Sequence, residues 1–300
     1  MKLVKMIKHF RIDKPDKLRL ADHDPAETCG LDLEKAEARA MLANGVERLA
    51  GLQEKLYAQN RWAVLAVFQA MDAAGKDGAI KHVMSGVNPQ GCQVHSFKQP
   101  SAEELDHDFL WRIAKALPER GRIGIFNRSH YEDVLVARVH PEILARQRLP
   151  QDLMGKDIWK ERFKSIRDFE RHLARNGVLV LKFFLHISKE EQHKRFLARL
   201  EEPAKRWKFE MNDVAERKLW PKYMDAYEEA IRHTSRPEAP WYVVPADNKW
   251  FARLIIAEAI VEAMEHLTLE FPEVEGPALE ELEKVRLALL AEKQPRGRAA

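Results

Sequence analysis

This chain has little cysteine, no long uninterrupted apolar run and almost no net charge. Its two cysteines, Cys29 and Cys92, cannot build a disulfide framework, and both read as buried thiols of a protein kept in a reducing compartment. No uncharged apolar stretch approaches the ~18 residues of a membrane span, and the N-terminal MKLVKMIKHF interrupts its apolar residues with lysine. The expected location is the cytoplasm, with no membrane partner. The 50 Lys and Arg against 47 Asp and Glu leave a formal charge of only +3, too balanced to announce a nucleic-acid binder. Twelve histidines are scattered without H-E-x-x-H, and no Cys-x-x-Cys occurs, so a zinc enzyme is not indicated. What is left, with 300 residues and 45% hydrophobic content, is a globular enzyme.

The stretch WAVLAVFQAMDAAGKDGAIKHVM, Trp62 to Met84, organises the rest. Its valine-rich run Trp62 to Phe68 suits a buried parallel strand, and Ala79, Ile80, Val83 and Met84 fall on one face of a helix beginning near Lys76. Between them Ala73, Ala74 and Gly75 are small enough for backbone N–H groups to close around an anion. The helix N-terminus and Lys76 add positive charge, which is the physics of a P-loop. Two departures from G-x-x-x-x-G-K-[ST] are informative: Ala70 replaces the first Gly, and Asp77 replaces the hydroxyl that would reach Mg²⁺. A carboxylate at Asp72 would repel phosphate unless a cation lay between, so Asp72 reads as a metal ligand or an orienter of the reacting phosphate.

Taken in order, residues 1–30 show no sustained period and are expected to lie on the surface. From Asp32, read as an N-cap, Leu42, Val46, Leu49, Leu52 and Leu56 mark an amphipathic helix. The GVNPQG loop, Gly86 to Gly91, is expected to face the phosphate site and precedes the strand CQVHSF. Ser101 with Glu104 caps a helix running to Leu117. RIGIFNRSHYEDVLV reads as a strand to Phe126 and a second capping box, Ser129 with Glu132. This strand delivers Asn127, Arg128 and Asp133 where ligands bind in open α/β sheets. A helix over Trp159 to Leu173, the strand from Val178 and a helix capped by Ser188 follow. A helix from Asn212 or Asp213 to about His233, the strand WYVVP and a last covering helix complete a doubly wound parallel sheet. The basic stretch with Lys194, Arg195, Arg199, Lys205, Arg206 and Lys208 around Pro203 follows a core strand directly, so it reads as a mobile lid of about 194–215 that lays cations over phosphates. Residues 268–300 are expected to add one helix after Pro277 and a disordered tail.

With MDAAGKDG, MSGVNPQG, FNRSHYEDVLV and the segment Lys205 to Lys208 together, the chain resembles the family-2 polyphosphate kinases from about Leu31 to Leu267. The resemblance implies a P-loop kinase fold, an α/β parallel sheet with helices on both faces and a helical lid, within a domain of residues 31–267. It implies Mg²⁺-dependent, reversible transfer of phosphoryl groups between inorganic polyphosphate and nucleotides. Mn²⁺ is the alternative metal. The wording DAAGKDG followed by HVMSGVNPQG is similar to the class acting on both AMP and ADP, giving ADP and ATP, with other purine nucleotides as alternatives. Carried over, Asp72 and Asp133 are the metal and phosphate-orienting carboxylates, Lys76 and Arg128 catalytic cations, and Arg199, Lys205, Arg206 and Lys208 the lid. Ala73, Ala74, Gly75, Asp77, Gly78, Lys81, Asn88, Asn127 and Glu132 are the remaining phosphate or nucleotide contacts. A homodimer or homotetramer is implied by the resemblance alone. Two other readings compete: an ATP-dependent nucleoside monophosphate kinase, against which Ala70 and Asp77 count, and a nucleic-acid-binding P-loop protein, which lacks a groove-reading motif.

Overall fold

The structure is a computed structural model that describes residues 3–209 and 212–292. Five apolar segments form one sheet: β1 (Ala63–Ala70), β2 (Cys92–Ser96), β3 (Ile123–Asn127), β4 (Val178–His186) and β5 (Trp241–Pro245), in the spatial order β2-β3-β1-β4-β5. All four pairings are parallel. The middle strands β1 and β4 are covered on both faces, which is why they read as continuous apolar runs instead of alternating ones. Strand order reverses about β1, and Phe68 of β1 stands opposite Asn127 of β3, so their carboxyl ends open together into the crevice where α/β proteins bind ligands.

The helices are α1 (Leu3–Phe10), α2 (Lys35–Gln59), α3 (Lys76–Val83), α4 (Ala102–Leu105), α5 (Trp111–Lys115), α6 (Val136–Val139) and α7 (Pro141–Ala145). They continue with α8 (Ile158–Arg175), α9 (Lys189–Glu201), α10 (Asn212–Lys218), α11 (Trp220–Thr234), α12 (Lys249–Glu265) and α13 (Pro277–Glu292). Alternate residues of β4 show how they are layered. Lys182 meets Glu170 of α8 and Phe184 stacks on Tyr227 of α11, so those helices cover one face. The other layer is α12, packed against α2, α3 and α1. Among the described residues no helix is long and apolar enough to cross a membrane.

The N-terminal segment is not a surface strap. Met6, Ile7 and Phe10 of α1 are buried, Phe10 meets Phe251 edge to face at 5.7 Å, and Ile12, Leu18 and Leu20 are buried beyond the helix. Ile12 N–H donates to Trp241 O at 2.9 Å and Arg11 bridges Tyr242 antiparallel, so this segment covers the open edge at β5. One short helix with lysines on its outer side gives too few repeats for a period to show.

Other boundaries moved for local reasons. Glu34, not Asp32, heads α2, with its N–H donating to Glu37. Ser101 and Glu104 do form a capping box, but the helix they start ends at Leu105 and resumes as α5. The expected 212–233 helix breaks at Leu219, because Pro221 belongs in the first turn of a new helix. Ser188 caps α9 by accepting from Glu191 N–H. α13 follows Pro277 as expected and is exposed along its length; the tail expectation falls on 293–300, outside the described residues.

Candidate active site

The loop Met71–Gly75 leaves β1 and turns into α3 by placing two residues in the left-handed region, Ala73 at φ +62° and Gly75 at φ +102°. For alanine that conformation costs about 1–2 kcal/mol, so something must hold it. Arg195 does, from beneath the loop. Its guanidinium, 7% exposed, donates to Ala73 O at 3.2 Å, Ala74 O at 2.8 Å, Ala246 O at 2.7 Å and Asp247 O at 2.9 Å, while its Nε pairs with Glu191 at 2.8 Å. Beside it Gln192 donates to Asp72 O at 2.9 Å. Drawing the carbonyls inward turns the opposite edges of the same peptide units, the N–H edges, outward to where an anion would lie. Arg195 was expected among the lid cations; the structure makes it the support of the P-loop.

Above the loop the charges converge. Arg128 reaches Asp72 at 3.2 Å and Glu132 at 3.5 Å, and Asn127 donates to Asp77 at 2.9 Å. Arg128 itself has φ +64°, with its N–H bound to Phe68 O, so the end of β3 is tied to the end of β1. Burial raises the Glu132 carboxyl above its ordinary range, opposed by Arg128 and Lys76. Burial lowers the Lys76 ammonium, and Arg128 lowers it further. A buried carboxyl whose charged form is disfavoured and a buried lysine beside an arginine leave room for compensating charge at this site.

Asp133 stands elsewhere. It is buried, its carboxylate accepts from Gln147, its main-chain carbonyl accepts from Arg162 at 2.8 Å, and the Arg162 and Arg112 guanidinia lie 3.9 and 4.0 Å from the carboxylate; among the described residues Asp72, Lys76 and Arg128 are not its polar partners. Burial raises its carboxyl too, opposed by Arg162 and Arg112. The expected convergence of Asp72 and Asp133 is therefore not what the side chains form: Glu132 takes that place. The reason is local. Ser129 does not make a capping box with Glu132 but accepts from Tyr131 N–H and Gln69, and His130–Asp133 is a 3-10 turn whose consecutive side chains point about 120° apart.

Of the other expected contacts, Gly78 lies on the first turn of α3, where a Cβ would stand 3.6 Å from the Arg253 guanidinium. Lys81 is exposed on the last turn of α3, and Asn88 accepts from Gln90 N–H at the head of a 3-10 turn; among the described residues neither makes a polar contact with the Asp72 cluster. Arg199 lies over Phe196, Lys205 pairs with Glu202, and Arg206 donates back to Leu200 O at 2.7 Å. The Lys208 side chain lies outside the described residues.

Four residues near the site were not expected. Tyr223 and Tyr227, one turn apart on α11, have phenols whose acidity is suppressed first by burial; for Tyr223 its hydrogen bond to Glu216 at 2.6 Å follows and then Glu132 and Asp72, and for Tyr227 Glu132 follows directly. Lys249 and Arg253, one turn apart at the start of α12, are lowered by burial and by the charge of Arg195. The sequence signal for both pairs is only an i, i+4 repeat, which any helix face shows.

A parallel sheet with a P-loop at its switch point, an Arg after the neighbouring strand and carboxylates around both is the framework of a P-loop phosphotransferase. Residues 32–272 match the family model for Polyphosphate kinase 2, and the chain belongs to that family. It is 53% identical over 284 residues to the ADP-polyphosphate phosphotransferase of Rhodopseudomonas palustris, covering 94% of this chain and 98% of that protein. It is 45% identical over 269 residues to the AMP/ADP-polyphosphate phosphotransferase of Meiothermus ruber, covering 90% and 97%. The crystal structure of Polyphosphate Kinase 2 from Arthrobacter aurescens superposes with a TM-score of 0.85 at 41% identity, over 95% of this chain and 96% of that one.

Proposed function

We propose that this protein transfers the terminal phosphoryl group of inorganic polyphosphate to AMP and ADP, giving ADP and ATP. The observation that carries the reading is the Asp72, Arg128 and Glu132 chain of ion pairs set over a P-loop that lacks the usual hydroxyl at Asp77. Mg²⁺ fits this donor set. It keeps several waters and binds through one or two carboxylates and substrate phosphates, and among the described residues no three His, Cys, Asp or Glu side chains form a ready cage. Asp72, with Glu132 near it, would hold the ion, and when bound it neutralises charge on the phosphates.

The chain's own residues do the rest. Backbone N–H groups of Ala73 to Gly75 and the head of α3 cradle the donor phosphates, and Lys76 and Arg128 balance charge spread over the transferring group. The acceptor's terminal phosphate has a second pKa of about 6 and is already an anionic nucleophile near neutral pH, so no general base is needed. Lys249 and Arg253 extend the cationic surface away from the loop for the rest of the polyanion. Under this reading Arg199, Lys205, Arg206 and Lys208 form the lid, and closure exchanges the Arg206 bond to Leu200 O and the Lys205 pair with Glu202 for phosphate contacts.

Purified protein with Mg²⁺, polyphosphate and AMP, and no ATP, should give ADP and then ATP by nucleotide chromatography, and EDTA should stop it. Rapid ADP formation from ATP and AMP with none from polyphosphate would establish the monophosphate-kinase reading instead.

A further inference from the structure

Lys182 sits in the middle of β4, opposite Val67 of β1 and Trp241 of β5, and is completely buried. Its ammonium spends all three donors: on Glu170 at 2.5 Å, on the Tyr131 hydroxyl at 3.0 Å and on Thr234 O at 2.9 Å. Tyr131 in turn donates to the other Glu170 oxygen at 2.8 Å, and His130 Nε2 lies 3.5 Å from that oxygen. Burial lowers the Lys182 ammonium, and the Glu170 carboxylate works to restore it.

A buried ion pair of this kind is a poor source of stability, since well-packed apolar residues of the same volume often do as well or better. What it supplies is direction. The Tyr131 ring packs edge to face on Trp241 at 4.7 Å, and its hydroxyl is fixed from two sides, so its ring has one place to be. Tyr131 lies between Arg128 and Glu132 on the 3-10 turn. At its start the turn is tied by Arg128 N–H to Phe68 O and by Gln69 to Ser129 Oγ. Arg128 carries a left-handed backbone, a conformation that persists only where its surroundings over-determine it. The Tyr131 anchor is the second fixed end.

We propose that Lys182 and Glu170, acting through Tyr131, are positioning residues that hold Arg128 and Glu132 at the transferring phosphate. This rests on the reading of Arg128 and Glu132 given above. None of the three touches substrate; they set the angle at which the pair that does is presented.

The test uses Tyr131→Phe and the paired change Lys182→Met with Glu170→Gln, which leaves no unmatched buried charge. Both should unfold cooperatively near the wild-type temperature, yet lose about 10- to 100-fold in kcat, as a shift near 1 Å in a reacting group does. KM for AMP and for polyphosphate should change by under ~3-fold, because binding contacts remain and only the transition-state geometry suffers. In an Arg128→Lys background Tyr131→Phe should cost under ~2-fold more, since both changes act on one element. Wild-type kcat in both variants, or a full additive loss in the Arg128→Lys background, would reduce the network to core packing. If the paired variant fails to fold, Tyr131→Phe decides alone, because it removes one oxygen. Full turnover in Arg128→Ala would instead remove the site reading, and the proposal with it.

Discussion

Arg195 offers the sharpest test of how the P-loop is held. Arg195→Met keeps most of the stem packing but removes every N–H that now reaches Glu191 and the carbonyls of Ala73, Ala74, Ala246 and Asp247. Hydrogen bonds to a charged group contribute about 1.5–3 kcal/mol each but do not add, because water enters once the guanidinium leaves. Breaking a buried charged network of this size costs about 3–5 kcal/mol, and for a chain of 300 residues that lowers Tm by roughly 5–8 °C. A second effect is specific to the loop. With Ala73 and Ala74 no longer drawn inward, their peptide units rotate, the N–H groups lose their aim, and kcat should fall about 10²-fold. Arg195→Lys has too few donors to reach all four carbonyls and should recover part of the stability but less of the turnover. Urea denaturation followed by circular dichroism, beside steady-state kinetics with polyphosphate and AMP, measures both. An Arg195→Met protein within about 1 kcal/mol of wild type and fully active would refute the argument.

Three further expectations follow from charge. Glu132 is raised by burial, so the native state holds its proton more tightly than the unfolded chain; that contribution is present below the unfolded pKa and is lost as pH rises through the folded one. Glu132→Gln should therefore raise Tm by a degree or two at pH 7.5, show no gain near pH 4.5, and lose about 10²-fold in kcat; a less stable variant at pH 7.5 contradicts the sign. His186, buried at the end of β4, is lowered from 6.5 to about 4 by burial and by His23 nearby. Its contribution is intact above about pH 6.5 and declines toward pH 4, by about 3 kcal/mol in all, so urea midpoints of wild type should slope across that window and those of His186→Gln should slope less; equal slopes argue against it. Replacing Lys249 and Arg253 together by Gln should raise KM for polyphosphate about 10-fold at low salt and much less at high salt, with KM for AMP unchanged; a KM insensitive to both changes places these cations outside the polyanion path.

The strands and the P-loop were legible because each depends on a short local pattern. A parallel strand buried on both faces must be continuously apolar, and β1, β4 and β5 emerged within two residues of the expected limits. The Ala73, Ala74, Gly75 and Lys76 turn was legible because few residues fit where backbone must approach an anion. Glu132 and Asp133 were harder. They are adjacent carboxylates, and which one faces the site depends on whether the turn is 3-10 or α. The S-x-x-E spacing at Ser129 pointed to α, while Gln69, 60 residues earlier in the chain, supplies the donor that favours the tighter turn.

Arg195 shows the same limit from the other side. In K-R-F-L-A-R it is one basic residue among several, and a charge run is ordinarily a solvated face. Helical spacing places Gln192, Arg195 and Phe196 together on the inner side of α9, all three buried, whereas Lys194 turns outward and Arg199, one turn on, is half-buried over Phe196. A period computed on hydrophobicity discards that stripe because two of its three members are polar. What makes them interior residues is a set of main-chain carbonyls in the P-loop and after β5, and these come together only when the sheet is assembled. The same holds for Lys182, a lysine in an otherwise apolar strand whose partners come from α8, α11 and the turn after β3. In each case an unsatisfied polar group elsewhere in the chain dictates the buried polar side chain. Local patterning therefore finds the elements and the P-loop turn, while the groups that hold that loop and the Arg128 turn in place become visible only with the tertiary structure.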